Sequence, residues 1–414
     1  MQPPLHHAIF SSALLVLGLG CTAAVSAQDK PHWSVSGFGT FGVVHSSERE
    51  ADFTSSVLRR SGAGASHPWS PDVDSNLGMQ LDVTLGKRWS AVLQVVSEQR
   101  LDNGYVPRVE WANVKYQATP DLALRAGRIA LPMFLAADYR KIGYIYPWVR
   151  PPVESYGTLP FSSSNGVDAT LRWTAGPVRN ASQVFFGRDS IKLVDGLRAE
   201  ARNIVGVSNV SDWGALNMRV NLIGADATIH IGQELFDGFG KFGPQGVAIA
   251  RRYELIGKRV AYANIGLNYD PGRWFVMAEA GRSRSASFIG ATRSMYVSAG
   301  WRWNAFTPYV TYADVRATSP TRDPGLPLAG LPPAVAGQAA MLNAGLNVLL
   351  ATIPEQSSES VGIRWDAATN VAVKLQYDRV TPHDGSRGSL INTTAAFRSD
   401  RTAHVASAAV SFVY

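Results

Sequence analysis

LALRAGRI, residues 122–129, and VDATLRW, residues 167–173, alternate apolar with polar or small positions, whereas the insert between them does not: ALPMFLAADYRKIGYIYPWVRPPVESYGTLPFSSSN, residues 130–165. A strand turns successive side chains to opposite faces, so the two flanks read as neighbouring strands. The insert is rich in Pro, Tyr and Arg. It reads as a loop that folds back into the lumen of a transmembrane β-barrel and narrows it.

The alternation recurs through the chain. Leu77, Met79, Leu81, Val83 and Leu85 oppose Gly78, Gln80, Asp82 and Thr84, and Leu216, Met218, Val220 and Leu222 oppose Asn217, Arg219 and Asn221. Val371, Val373, Leu375 and Tyr377 oppose Ala372, Lys374, Gln376 and Asp378. One face suits hydrocarbon and the other suits water. Ala227, Ile229 and Ile231 join the apolar set, against Thr228 and His230. No stretch sustains an apolar period of 3.6 as a soluble helical domain would.

A soluble sandwich also alternates, and three further features separate it from a barrel. Seven short turns (Gly86-Lys87, 119–121, Gly176-Pro177, Gly224-Ala225, 270–272, Asn304, 367–370) alternate with eight long polar or Gly-rich connections. That parity implies about sixteen strands, with Asn203 to Val210 and Met341 to Leu350 assigned to loops. Trp89, Tyr116, Trp173, Tyr269, Trp274, Trp303, Phe306 and Trp365 carry the apolar parity close to short turns, as one aromatic girdle at one membrane interface. The last segment, His404 to Tyr414, alternates to a terminal aromatic and reads as the closing partner of Trp33 to Val44. Closure satisfies every backbone amide in hydrocarbon, where an unpaired group costs several kcal/mol. The fold class is thus all-β: a closed antiparallel transmembrane barrel over residues 28–414 with an inward third loop (130–165) and a long external loop (317–358).

Residues Met1 to Ala27 hold no Asp, Glu, Lys or Arg and end Val25-Ser26-Ala27 after an apolar run, which reads as a signal peptide over 1–27. Its removal takes Cys21, the one cysteine, so no disulfide or thiolate site remains. The net charge of +7 sits wholly in the remaining chain, where charged residues are modest in number at 17% of the sequence. These charges alternate along strands and do not cluster, which argues against nucleic acid as a partner.

Taken together, the leader, the count of about sixteen strands, the long insert between the fifth and sixth strands and the aromatic end resemble the Gram-negative general porins and porin-like proteins. The resemblance spans 28–414. It implies an outer-membrane diffusion channel for small hydrophilic solutes, constricted by the third loop, usually a trimer, with no cofactor and no catalysis. The acidic Pro-Glu-Phe-Gly-type motif of that family's third loop is absent. Arg140, Lys141 and Arg150 stand instead against Asp138 and Glu154, so cation preference does not carry over.

Fixed charges in a narrow mouth act more strongly than in bulk water. The insert's Asp138, Arg140, Lys141, Arg150 and Glu154, with Lys115, Arg125, Asp168, Arg172, Arg219, Arg302, Arg364 and Lys374 on the wall, read either as a selectivity field or as wall residues paired with one another. Asp82, Asp226, Glu279, Asp366 and Asp378 share that wall. As a set they suggest a mixed field with a basic bias and a weak anion preference. Phe134, Tyr139, Tyr144, Tyr146, Trp148 and Tyr156 read as rings that pin the loop or as a slide for ligands.

Other motifs fall to plainer readings. Gly37–Gly42 and Gly238–Gly243 match G-x-G-x-x-G, but neither opens an expected helix in a strand-helix-strand unit. Asp72, Asp74 and Asn76 lack the glycine spacing and closing Glu of a calcium loop. Arg59, Arg60, Arg251 and Arg252 on external loops suit lipopolysaccharide phosphates. A hydrolase at the rim is the competing class, and His45, His67, His230, His383 and His404 show no catalytic partner in sequence. A non-conducting adhesin or scaffold needs the lumen plugged, for which Ser319 to Pro333 and its apolar continuation are the best material.

Overall fold

The computed structural model describes residues 31–102, 104–157, 161–193 and 196–414, so the leader expected over 1–27 lies outside the described residues. Sixteen strands form one closed antiparallel barrel. They are β1 (His32–Ser46), β2 (Asn76–Leu85), β3 (Trp89–Glu98), β4 (Arg108–Gln117), β5 (Leu122–Ala130), β6 (Ser163–Ala175), β7 (Val178–Lys192) and β8 (Arg198–Trp213). The second half comprises β9 (Leu216–Ile229), β10 (Leu255–Tyr269), β11 (Trp274–Ser285), β12 (Thr292–Trp301), β13 (Phe306–Ala317), β14 (Gln356–Ala368), β15 (Val371–Pro382) and β16 (Ala403–Val413).

Closure runs through β1. Its first half pairs with β2, from His32↔Thr84 to Thr40↔Asn76, and its second half with β16, from Phe38↔Val413 to Ser46↔Val405. Tyr414 then exchanges both backbone hydrogen bonds with Gly37, at 3.0 and 3.2 Å.

Outward positions stay apolar and exposed, among them Leu77, Leu93, Val167, Leu171, Val220, Leu222, Val297, Val310, Val361 and Leu375. The girdle holds. Trp89, Trp173, Tyr269, Trp274, Trp303, Phe306 and Trp365 are exposed beside short turns, Trp213 and Trp301 join them, and Tyr116 lies 4.7 Å from Trp89. The number of strands agrees with the sequence, but two of its elements differ in compensating ways. Asn203 to Val210 belongs to β8, which pairs with β7 out to Lys192↔Arg198, and the expected turn at Gly224-Ala225 lies inside an unbroken β9. The true turn is Gly214-Ala215, with Gly214 at φ 58°. A register shift between Arg202 and Val205 interrupts the alternation in β8, and this hid the strand.

Moving that turn inverts the faces beyond it. Ala227 is buried and faces inward, whereas Asp226 points outward to Arg259 (3.3 Å) and Asn203 (2.8 Å) and does not line the lumen. The inner apolar surface at this end is covered by α2 (Gln233–Gly240), α3 (Gly243–Tyr253) and α4 (Pro333–Leu350), helices carried by external loops. A single turn, α1 (Val153–Tyr156), lies in the third loop. Met341 to Leu350 is therefore helical loop, and Gly243 does open a helix, contrary to the sequence reading; that helix follows α2 directly and is no part of a strand-helix-strand crossover. Alternating polar residues hid these helices: α4 has Gln338, Asn343 and Asn347, and the last two bond back to Leu326 and Asp323.

Two measurements check this architecture. Val361→Arg places a guanidinium on the outward face opposite Val310 and is expected to destabilise the barrel by about 2–4 kcal/mol in liposome refolding, against little change for an inward substitution. In the outer helices, burial and the Asp323 carboxylate that accepts its hydrogen bond push the Tyr253 hydroxyl up to about 12. A raised tyrosine pKa stabilises below its ordinary value near 10 and is lost as pH rises through the folded value. Ultraviolet titration of wild type against Tyr253→Phe is expected to lose one late-titrating phenol.

Candidate functional site

The chain between β5 and β6, described over residues 131–157 and 161–162, crosses the lumen and is bound to the walls at both ends and in its middle. Its boundaries are three residues tighter than expected at the far end, since Ser163 to Asn165 belong to β6. At the entering end, Asn264 donates to the Met133 carbonyl at 3.0 Å and the Leu135 amide donates to Glu279 at 2.9 Å. Arg219 donates to the Phe134 carbonyl at 2.9 Å and pairs with Asp138.

In the middle, Lys374 Nζ donates to the carbonyls of Gly143, Tyr146 and Trp148 at 2.5, 2.7 and 2.8 Å. Arg364 donates to the Tyr144 and Tyr146 carbonyls, lies 4.7 Å from the Tyr144 ring centre and bonds Asp366 at 2.7 Å. At the far end Arg150 bridges Asp74 (2.6 Å), Asp378 (3.0 Å) and Ser407 (2.6 Å). Glu154 accepts from Gln356 at 2.6 Å, and burial pushes its carboxyl up from the usual range.

The rings pin the loop. Phe134, Tyr146, Trp148 and Tyr156 are buried against inward wall aromatics, with Trp148 5.7 Å from Tyr296 and its indole donating to Ser298 at 2.9 Å. Tyr156 donates to Glu279, which also accepts from Tyr296 at 2.8 Å. Tyr139 and Tyr144 are half-buried. Inward Phe185, Tyr262, Phe275, Met277, Tyr296 and Tyr309 make the wall beside the loop apolar, a departure from the simple rule of a wet inner face. Composition held the aromatics but not their facing.

The expected wall charges therefore divide. Arg219, Arg364 and Lys374 are committed to loop carbonyls, an arrangement neither sequence reading contained. Arg125 pairs with Asp168 at 2.9 Å on neighbouring strands. Lys115 lies opposite Arg125 in register, and Arg172 is exposed on the inner face of β6. Arg302 belongs to the short-turn end, bonded to Asp270 at 2.6 Å.

Above the loop lies a cavity of about 790 Å³, floored by Arg140, Lys141, Tyr146, Arg150 and Tyr156 and walled by β1 to β5 and β7 with the described parts of the connections 47–75, 99–107 and 193–197. Among the described residues nine Lys and Arg side chains line it against five Asp and Glu. Arg59, read as an external lipopolysaccharide contact, is instead buried here, because Glu98 (3.3 Å) and the Gln99 carbonyl (2.7 Å) draw it inward. Glu98 is shared by Lys141 at 2.6 Å and Arg100 at 3.8 Å. Arg140 donates to the Tyr156 carbonyl at 2.6 Å and lies 5.5 Å from the Phe134 ring, with no carboxylate in ion-pair reach among the described residues. Burial lowers the affinity of Arg100 and Arg140 for their protons.

The catalytic alternative gains one cluster. Ser357 lies 2.9 Å from His383 Nε2, and Asp400 is 3.9 Å from Nδ1 and largely exposed. That carboxylate stands beyond hydrogen-bond distance and does not orient the imidazole. His404 bonds Tyr377 at 2.7 Å and His45 packs on Trp69. Asp72 accepts from Gln99 at 2.9 Å and Asp74 holds Arg150. Among the described residues no three His, Cys, Asp or Glu gather as metal ligands.

No known sequence family and no curated protein matches the chain. Solved structures do. The outer membrane channel DcaP of Acinetobacter baumannii is 9% identical over 95% of this chain and 100% of its own, with a TM-score of 0.56. The anion-selective porin from Comamonas acidovorans is 11% identical over 93% and 100%, at 0.55. Salmonella typhi OmpF, solved with daunomycin, is 11% identical over 92% and 97%, at 0.54. The resemblance to porins drawn from the sequence thus holds for the fold.

The loop's attachment is testable at Lys374. Lys374→Met takes the lysine donor from the Gly143 and Trp148 carbonyls and leaves Tyr146 with Arg364 alone, at about 1–3 kcal/mol for each buried group left unsatisfied. Amide hydrogen exchange across 143–149 is expected to quicken while the strands stay protected; unchanged exchange would show that the lysine does not hold the loop.

Proposed function

We propose that the chain is an outer-membrane channel through which small hydrophilic solutes diffuse, with the third loop setting its aperture and a weak preference for anions. The observation that carries the reading is the loop itself. A closed barrel needs nothing across its interior, yet this one holds a segment there by ion pairs and carbonyl contacts to β9, β10, β14 and β15 and by the Glu279 carboxylate of β11. The basic surplus of the vestibule supports the anion preference, since a cavity with low-dielectric walls concentrates counter-ions. No bond is made or broken; concentration difference, width and charge set the rate. Trimeric assembly and contact of the exposed Arg60, Arg251 and Arg252 with lipopolysaccharide belong to this proposal on the porin resemblance.

A scaffold that does not conduct is the second reading, favoured by the packing of α2, α3 and α4 on the inner wall. Planar bilayers separate the two. Step-like conductance is expected for the channel, and its absence from a folded barrel favours the scaffold. In a salt gradient the reversal potential is expected to lie on the chloride side; a clear cation preference would refute the assigned selectivity. Deletion within 143–148 is expected to raise conductance, and an unaltered value removes the loop's role.

A further inference from the structure

The charges of the vestibule are not balanced by their neighbours. Glu98 is one carboxylate among Arg59, Arg100 and Lys141, and Arg140, next to Lys141 on the loop, has among the described residues a carbonyl and a ring as its direct partners and no ion pair. The nearby Glu110 accepts from the Ser162 hydroxyl at 2.5 Å and keeps its charge, so that with Glu98 two carboxylates face the four cations Arg59, Arg100, Arg140 and Lys141. Partly desolvated guanidinium groups that outnumber their carboxylates are costly, and the cost is relieved by an anion that enters. The Arg100 Nε finds no acceptor among the described residues.

We propose that this vestibule contains a discrete, saturable site for a small oxyanion bearing two or more negative charges, held between Arg100 on the 99–107 connection and Arg140 on the loop. Planar guanidinium forks match carboxylate and phosphoryl oxygens in pairs, whereas chloride takes no advantage of that geometry. A monoanion leaves half of this local surplus uncompensated, and a dianion matches it. The volume of about 790 Å³ lies in the range of pockets that enclose a small solute. Beneath it the loop is tied down from 133 to 154, so a solute meets a binding surface before the constriction. The inference deepens the channel reading, naming the class of solute that the entrance selects.

Citrate and hydrogen phosphate at pH 8 serve as probes and acetate as the monovalent control, all with the full-length protein. Calorimetry in detergent reads binding without conduction, and chloride current in a bilayer reads it with conduction. Saturable one-to-one binding of citrate or hydrogen phosphate, with acetate at least about tenfold weaker, is the expected result. Arg100→Gln and Arg140→Gln are each expected to weaken that binding at least about tenfold, the value of a lost charged hydrogen bond. Circular dichroism and heat-modifiable migration verify that the variants are folded. Conductance that scales linearly with every anion, together with no calorimetric binding, overturns the site and leaves the channel standing. Binding without conductance supports the site and sinks the channel. Binding unaffected in both variants overturns the location.

Discussion

A backbone amide placed in hydrocarbon finds no water to bond, and each one left open costs several kcal/mol. Everything else in this molecule follows from meeting that demand by closing the sheet. β1 meets it by serving two partners in succession, β2 along its first half and β16 along its second. With both edges consumed, side chains have only two directions, and the outward one must be apolar. The inward direction is then free to carry the charges that a lipid-facing surface cannot hold.

Those inward charges are used chiefly to hold a loop. Arg219 and Glu279 grip its entrance, Lys374 and Arg364 its middle, and Arg150 reaches from the loop to Asp74, Asp378 and Ser407 at its exit. A buried lysine facing three carbonyls makes no ion pair there, but it supplies donors to backbone groups that the irregular loop cannot bond for itself. Inward aromatics complete the grip by removing water from around these contacts, which strengthens them. The polar surplus left over collects in the vestibule, where side chains from three connections and the loop converge on too few carboxylates.

Legibility varied with the range of the interaction that decided each feature. Alternation and the turns at Gly86, Gly176, Asp270, Asn304 and Asn370 are local, and they were read correctly. The β8 strand was hidden because a bulge at Arg202 to Val205 breaks the period, and a false turn at Gly224 made good the count. That false turn also put Asp226 on the wrong face. α2, α3 and α4 escaped notice because each is short or carries polar residues that bond to neighbouring loops, so an apolar stripe never stood out. The insert was recognised as lying in the lumen, yet its anchors were missed, since Lys374 and Gly143 are partners across 231 positions of chain.

The sequence alone determined a barrel of this class, its sidedness in aromatics and the segment that enters it, because strand period and turn residues are properties of neighbouring positions. Only the tertiary structure decided which charges face one another. Whether an inward arginine is spent on a carbonyl, matched by a carboxylate or left to attract a solute depends on what the closed wall brings within about 3 Å of it, and no spacing along the chain encodes that distance.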